Sequence, residues 1–344
     1  MAISKFIYPL AVTLVMTFIY SKYKNKEQMS EDDRNYDLVR KFLLNDGSNG
    51  SLNSNSNEKM NNSTTLAKCK KPILWIHSTY EVNARAWQSF SSRNTEDLNQ
   101  PYVYLTMKSI IDRCSTDFNI CLIDDQSFAK LLPTWAVNLS LVAEPIKSNI
   151  RQLALANLLY TYGGISVPNS FLCFSSLLEM YLAGCRCRGG MFVGEFIDRQ
   201  TTSVQVGFFP DPTKLMGCSK NSSTMQEYVH YLEKVSSTDF TAESEFEGDL
   251  ARWCLAKITD NQNQSMHIVP AEQLGTRDSL GKPVTIERLL SNTYLPLAKQ
   301  VVGLYLPAKE IISRTAFQWF SRMSAQQVLK SDTAVGKYML ITRT

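Results

Sequence analysis

The side chains best able to do chemistry follow short apolar runs of the sequence. His77 ends one run, Asp124 and Asp125 follow a second, and residues 168–170 follow a third. Short apolar runs bounded by polar residues predict buried strands. Because α/β sheets bind ligands at the carboxyl ends of their parallel strands, these residues are expected to line one binding site.

Helical patterns separate the predicted strands. Residues 98–113, 127–132 and 144–162 each suit a helix, and the glycine pair Gly163-Gly164 ends the third one, as helix C-termini prefer. The order strand, helix, strand, helix, strand predicts an α/β fold with a mostly parallel sheet.

Composition and charge limit the classes of protein to which this chain can belong. The 344 residues are 44% hydrophobic and 20% charged, which favours a globular chain with room for one large domain or two ordinary ones. Residues 1–71 carry 11 basic and 7 acidic side chains, and residues 72–344 carry 25 of each. Since the predicted folded part is neutral, it lacks the basic surface expected of a nucleic-acid-binding protein.

An uncharged apolar segment lies near the amino terminus. Residues 6–20 read FIYPLAVTLVMTFIY, and three lysines follow within residues 22–26. The segment is short, because crossing a bilayer takes about 20 residues. A cleaved signal peptide or a core helix are the alternatives, but no cleavage site follows the apolar run and linker-like sequence comes next. We predict a single-pass membrane anchor over residues 1–26, with its orientation left open by a margin of one charge.

Three further regions follow the predicted anchor. Residues 27–69 form a juxtamembrane segment and an Asn/Ser-rich flexible linker, whose first part is either a solvated stalk or a short amphipathic helix. The folded domain is predicted over residues 70–275. Residues 276–344 are predicted to be a C-terminal extension that packs on the domain.

Eight cysteines and three histidines offer little support for a zinc site. No pair of cysteines has the C-x-x-C spacing, and Cys121 and Cys173 lie in apolar runs. We expect the thiols to be mostly reduced and buried. A P-loop and a G-x-G-x-x-G motif are both missing from the sequence.

Two neighbouring motifs carry a resemblance to a known family. Ser148-Asn149-Ile150-Arg151, followed by LLYTYGGI at residues 158–165, resembles glycosyltransferases with the sugar-binding region containing the DXD motif. That class includes initiating Golgi mannosyltransferases and capsular polysaccharide transferases. The resemblance covers about residues 70–275 and implies a GT-A-like, Rossmann-like domain that transfers a hexose from a nucleotide-sugar to a glycan acceptor. With the anchor, it also implies a Golgi- or ER-type or other internal membrane, the side of which stays open.

The resemblance implies a set of donor-binding residues and a metal. In the family, two carboxylates of an Asp-x-Asp motif hold a divalent cation against the diphosphate of the donor, and the cation acts as a Lewis acid. A preceding helix supplies an acid and an arginine. The positions implied for donor binding here are His77, Asp124, Asp125, Asn149, Arg151, Gly163 and Gly164.

The sequence departs from the family at the metal-binding positions. Pro168-Asn169-Ser170 stands where the family has Asp-x-Asp, and Asn149 stands where it has an acid. Three expected carboxylates are therefore missing, and hard divalent cations bind weakly without them. We expect no resident cofactor, with Mn²⁺ or Mg²⁺ only if other side chains replace these carboxylates. Metal-dependent catalysis is expected to be lost or strongly altered.

The same residues have structural interpretations that need no ligand. Arg151 could bind a phosphate or pair with Glu144 within its helix. His77 at a strand end is more often structural than catalytic. Gly163 and Gly164 satisfy a turn first and a ligand only indirectly.

The two aspartates that follow the second predicted strand have two interpretations. Asp124 and Asp125 could receive a uridine or a ribose, or they could cap the helix that starts near Ser127. Capping explains at least one of the two.

Three other carboxylates are candidates for a general base in metal-independent transfer. Glu195 follows a further short strand, and Asp198 and Asp249 are lesser candidates. An exposed surface carboxylate is the alternative for each.

Three functions compete at this point. The first is a sugar transferase that is metal-independent or slow, and the second is a non-catalytic descendant that binds a glycan or a protein at a membrane. The third is a membrane-attached structural protein without a ligand. The protein partners are left open by the sequence.

Overall fold

The computed structural model describes residues 70–78, 100–197, 209–237, 243–260 and 264–342. The predicted anchor and linker lie outside the described residues, as does Asp198. Among the helices of the described ranges, none has the length and apolar character needed to cross a membrane.

The described residues form eight strands. They are β1 (Ile73–His77), β2 (Asn119–Ile123), β3 (Gly164–Ser166), β4 (Phe171–Cys173), β5 (Met191–Gly194), β6 (Met216–Cys218), β7 (Met266–Val269) and β8 (Gly303–Tyr305). Six of them form a mixed sheet in the order β2-β1-β3-β6-β5-β7, and β4 pairs with β8 in a second, two-stranded sheet. Within the six-stranded sheet, β6 is antiparallel to both of its neighbours, whereas the other strands all run in one direction.

Helices cover both faces of the larger sheet. They are α1 (Val103–Cys114), α2 (Ser127–Leu131), α3 (Ile146–Tyr162), α4 (Leu178–Cys185), α5 (Ser223–Ser236), α6 (Glu243–Thr259), α7 (Ile286–Leu290), α8 (Ala308–Ser313), α9 (Gln318–Ser321), α10 (Ala325–Leu329) and α11 (Ala334–Ile341). Short 3₁₀ turns occur at Leu139–Leu141 and Thr315–Phe317. The prediction of an α/β fold with a mostly parallel sheet is confirmed, and the architecture is compatible with a Rossmann-like fold.

Strand β1 shows why the core has two halves. Side chains alternate across a strand, so Leu74 and Ile76 enter one apolar cluster while Ile73 and Trp75 enter the other. All four are buried, as expected for a parallel strand covered by helices on both faces. The sheet is therefore the wall between two apolar cores, and its edges are where polar groups can collect.

The chain passes from α3 into β3 through two glycines with positive φ. Gly163 has φ 75° and Gly164 has φ 105°, values that favour glycine. A Cβ at position 164 would lie 2.0 Å from the backbone oxygen of Ile73, so a side chain cannot fit there. This close approach lets β3 pair directly with β1.

The C-terminal extension shares its core with the preceding residues. Strand β8 pairs with β4, and Leu304, Phe320 and Val335 are fully buried in the same cluster as Leu74. Just before β4, Ser170 exchanges two hydrogen bonds with Leu306, one of them from its hydroxyl at 2.8 Å. Residues from the extension therefore lie beside the end of β3.

Among the residues that the structure describes, seven cysteines carry free thiols. Cys121 lies in β2 and Cys173 lies in β4, where the apolar runs predicted strands. The sulfur atoms of Cys114 and Cys173 are 3.9 Å apart in the core. These thiols behave as small core side chains.

Candidate functional site

A cleft of about 1420 Å³ opens at one edge of the six-stranded sheet. Residues that follow the carboxyl ends of β1, β2, β3 and β5 line it, together with residues of α3 and of the C-terminal extension. Since β6 runs in the opposite direction, the residues before its amino end reach the same edge. The cleft thus lies where a sheet of this kind binds ligands.

Asp125 is the centre of a charged network in this cleft. Arg151 donates to it from Nε to Oδ1 at 2.7 Å and from Nη2 to Oδ2 at 2.8 Å. His77 lies 2.9 Å from Oδ1 through Nε2, and the ammonium of Lys147 lies 4.0 Å from Oδ2. The bidentate geometry is the strong form of an arginine–carboxylate pair.

The pKa values of Asp125 and His77 are displaced in the same direction. Burial raises the pKa of Asp125, but the hydrogen bonds from Arg151 and His77 outweigh it and hold the pKa well below its usual range. Burial lowers the pKa of His77 below 6.5 despite its hydrogen bond to Asp125. An ionised carboxylate only accepts hydrogen bonds. The neutral imidazole therefore carries its proton on Nε2, and this N–H donates a hydrogen bond to Asp125. The ring of His77 also stacks on Phe128, with centroids 5.6 Å apart.

Asp124 has a local structural role. Its Oδ1 accepts hydrogen bonds from the backbone N–H of Ser127 at 2.8 Å and of Gln126 at 3.1 Å, and from the hydroxyl of Ser127 at 2.6 Å. These bonds satisfy amides at the start of α2. Of the two adjacent aspartates, Asp124 thus holds the turn that leads into α2, and Asp125 is the one that pairs with Arg151.

Helix α3 presents Asn149 and Arg151 to the cleft. Arg151 also lies 3.7 Å from Glu144, but its contacts with Asp125 are shorter. Asn149 is only 4% exposed, and its side-chain amide makes no hydrogen bond with the described residues. A buried amide that lines a cleft without a protein partner is free to bind a polar ligand.

The donor set at the degenerate metal position does not fit a divalent cation. Pro168 offers no side-chain oxygen, and the hydroxyl of Ser170 donates a hydrogen bond to the carbonyl of Leu306. The amide nitrogen of Asn169 donates to the hydroxyl of Ser78 at 3.2 Å. The carboxylate of Asp125 is already bound by Arg151. At this turn, Mg²⁺ or Mn²⁺ would therefore find no charged oxygen, only neutral ones. Across the described ranges, no group of three or more His, Cys, Asp or Glu side chains could hold a metal.

Several residues named from the sequence lie away from the cleft. Glu195 is buried, accepts a hydrogen bond from the Ala271 N–H at 3.0 Å and pairs with Arg277 at 3.3 Å. Asp249 lies on α6 and pairs with Arg252 of the same helix. None of these five residues is among those that line the cleft.

The two glycines are also remote from the cleft. Gly163 and Gly164 lie at the amino end of β3, whereas the cleft lies at its carboxyl end. Their positive φ values, with the close approach of Lys220 to Gly163 and of Ile73 to Gly164, explain both glycines as backbone requirements.

Sequence reasoning missed one wall of the cleft. Lys214, Phe196 and Tyr305 line the side formed by β5, β6 and β8. Phe196 follows Glu195 and Tyr305 belongs to the short strand β8, but no local pattern distinguishes either from a core aromatic residue. A lysine just before the apolar run 215–216 was the one signal available for Lys214.

Comparisons with known proteins found no similar protein. No family model, no curated protein and no solved structure matches this chain.

Proposed function

We propose that the domain is of the glycosyltransferase type and binds a nucleotide-sugar in the cleft without a divalent cation. The LLYTYGGI motif at residues 158–165 and the α/β fold support this proposal. The fold would be of the GT-A type, attached through residues 1–26 to a Golgi- or ER-type or other internal membrane. The partners would then be the membrane, the nucleotide-sugar and a glycan acceptor, with no nucleic acid.

The observation that carries the proposal is the network of Asp125, Arg151 and His77 at the carboxyl edge of the sheet. It joins the ends of β1 and β2 to α3 and lines a cleft of about 1420 Å³. That volume has room for a ligand larger than a drug-sized molecule. Lys147 and Arg151 are cations that could contact phosphates, although carboxylates line the same cleft and the lining as a whole has no excess of positive charge.

Asp125 and Asn149 suit the polar, uncharged parts of such a ligand. The carboxylate of Asp125 stays ionised and keeps acceptor capacity beside its bonds to Arg151 and His77. The amide of Asn149 has donors and an acceptor and lines the same cleft. Ribose and sugar hydroxyls need partners of this kind, since they both donate and accept hydrogen bonds.

The second candidate is a non-catalytic protein of the same fold that binds a glycan or a protein at a membrane. It is favoured by the partners of the carboxylates that line the cleft in the described part of the chain. Each one is engaged: Asp124 by Ser127, Asp125 by Arg151, Glu144 by Ser148, Glu247 by the charge of Lys214, and Glu310 by Arg314. Each of these cleft carboxylates would therefore have to give up a partner before it could act as a general base.

Calorimetry on the full chain in detergent micelles tests the proposal. UDP- and GDP-sugars would be titrated with a chelator and, separately, with Mn²⁺. Equal binding under both conditions is the expected result. Binding that requires Mn²⁺ would refute metal independence, and no binding to any donor would refute the nucleotide-sugar site.

Product analysis then separates the two candidates. Mass spectrometry of reactions with donors that bind would detect release of the sugar to water or to an added glycan. Transfer supports the enzyme, and binding without turnover supports the non-catalytic protein. An Asn149→Leu variant is the matched control, because it removes the unpartnered amide while keeping a side chain of similar size.

A further inference from the structure

Lys214 lines the same cleft as Arg151. It precedes β6, whose antiparallel direction brings this residue to the ligand-binding edge of the sheet. Its side chain is 25% exposed, so most of it is packed while part of it faces the cleft. Lysines rarely occupy such positions without a partner or a function.

Three contacts hold the ammonium of Lys214 in place. It donates to Asp211 at 2.7 Å and lies 5.5 Å and 5.7 Å from the ring centroids of Phe196 and Tyr305. Asp211 is itself held by the backbone N–H and the hydroxyl of Thr213. The positive charge is therefore fixed in position before any ligand binds.

The ammonium of Lys214 is linked to the degenerate metal position through two neighbouring residues of the C-terminal extension. Tyr305, which it contacts, precedes Leu306, and Leu306 exchanges two hydrogen bonds with Ser170. Lys214, Tyr305 and residues 168–170 all line one cleft. The cleft therefore holds a cation, while residues 168–170 lack the carboxylates that the proposed family would place there.

We propose that Lys214 takes the place of a divalent cation and binds the diphosphate of the nucleotide-sugar. The inference rests on the proposed function, because it names a residue of that same site. An ammonium is a compact charge with three N–H groups, and one of them is committed to Asp211. The other two can donate to phosphate oxygens, as lysines do in phosphate sites.

Two carboxylates compete with a phosphate for this charge. Asp211 bonds the ammonium directly, and Glu247 contributes a longer-range attraction. Because of this competition, the inference predicts the direction in which diphosphate affinity changes when a carboxylate is removed. Asp211→Asn keeps an oxygen for the Thr213 N–H but removes the competing charge, so diphosphate binding should become tighter. A purely structural ion pair would not produce tighter binding.

The test uses the full chain in detergent micelles with chelator present. The probes are UDP, GDP and inorganic pyrophosphate, measured by calorimetry, with near-UV circular dichroism as a check on folding. We expect Lys214→Met to weaken binding by about tenfold or more, the usual loss when a charged hydrogen bond is removed. Lys130→Met, an exposed lysine of α2 outside the cleft, should leave binding unchanged.

The outcomes separate the inference from the proposed function. If the wild type binds and Lys214→Met binds equally well, the inference is overturned while the nucleotide-sugar site stands. If the wild type binds none of the probes, both are overturned. If Lys214→Met fails to fold, Lys214→Arg should retain binding and Asp211→Asn should strengthen it, and weaker binding by Asp211→Asn would overturn the inference.

Discussion

The guanidinium of Arg151 contacts the carboxylate of Asp125 through two parallel hydrogen bonds of 2.7 and 2.8 Å. The pair joins α3 to the end of β2, two elements that are separated in sequence by α2 and the 3₁₀ turn at Leu139–Leu141. It therefore has a structural effect as well as a place in the cleft.

Arg151→Met is expected to lower the free energy of unfolding by about 2 kcal/mol. The substitution leaves the carboxylate of Asp125 partly buried without its main partner, a cost that reaches about 3–5 kcal/mol when the pair is fully buried. Both side chains are here less than one-fifth exposed. Urea unfolding at pH 7 measures the loss.

Lys147→Met is the matched control for Arg151→Met. Its ammonium lies 4.0 Å from Asp125 and is 27% exposed, so its loss should cost less than about 0.5 kcal/mol. An equal loss in both variants would contradict the view that the bidentate pair dominates the network.

His77 should make the fold less stable in mild acid. Its pKa is lowered in the folded state by burial, so the unfolded chain takes up the proton first as the pH falls below about 6.5. Folding stability then decreases from that pH downward, by at most about 1.4 kcal/mol per pH unit, until the folded pKa is reached. The free energy of unfolding at pH 7.5 and 5.5 measures the effect.

His77→Gln should reduce this acid-dependent loss. His267→Gln is the comparison, because the pKa of His267 is also lowered by burial but its ring lies outside the cleft. A wild-type protein that gained stability between pH 7.5 and 5.5 would contradict the assignment of a neutral His77.

Gly164→Ala should destabilise far more than Gly281→Ala. Both glycines have positive φ, 105° and 77°, but a Cβ at 164 would lie 2.0 Å from the Ile73 oxygen while nothing lies within 4 Å at 281. Backbone strain alone costs about 1 kcal/mol at position 281. At position 164 the strand pairing must shift as well, so we expect about 3 kcal/mol or more. Thermal unfolding of the two variants would refute this if their losses were equal.

Glu195→Gln is expected to affect stability and not ligand binding. Its carboxylate is 3% exposed and pairs with Arg277 and the Ala271 N–H, outside the residues that line the cleft. Loss of the charge should cost about 1–3 kcal/mol in urea unfolding. The affinity for UDP-sugars measured by calorimetry should be unchanged. A variant that folds normally but no longer binds them would show that Glu195 belongs to the binding site. Asp249→Asn, which removes an exposed pair with Arg252, should change neither measurement.

The sequence predicted the elements whose patterns are local. The apolar runs of β1 and β2 and the long helical pattern of α3 were each predicted to within two or three residues. Strand β6 has only three residues, one of them Gly217, and no short-range pattern marks its antiparallel direction. Since this direction brings Lys214 to the cleft, one wall of the site depends on information that the local sequence does not carry.

The partners of site residues were harder to predict than the residues themselves. Glu144 was a natural partner for Arg151 because both lie near or within one predicted helix, yet the closer contact is with Asp125. Asp125 becomes a neighbour only when β2 pairs with β1 and α3 packs on the sheet. Side-chain pairing across elements is a property of tertiary packing, and local spacing alone does not reveal it.

The pairing of β4 with β8 bears on how the protein is made. A ribosome releases Phe171–Cys173 long before it releases Gly303–Tyr305, so the nascent chain carries an unpaired strand edge through much of its synthesis. The backbone oxygen of Ser170 likewise accepts its hydrogen bond from the Leu306 N–H only after that residue has been synthesised. Only a chain that extends past residue 305 can therefore close this side of the cleft, and one that stops before residue 303 would lack a finished site.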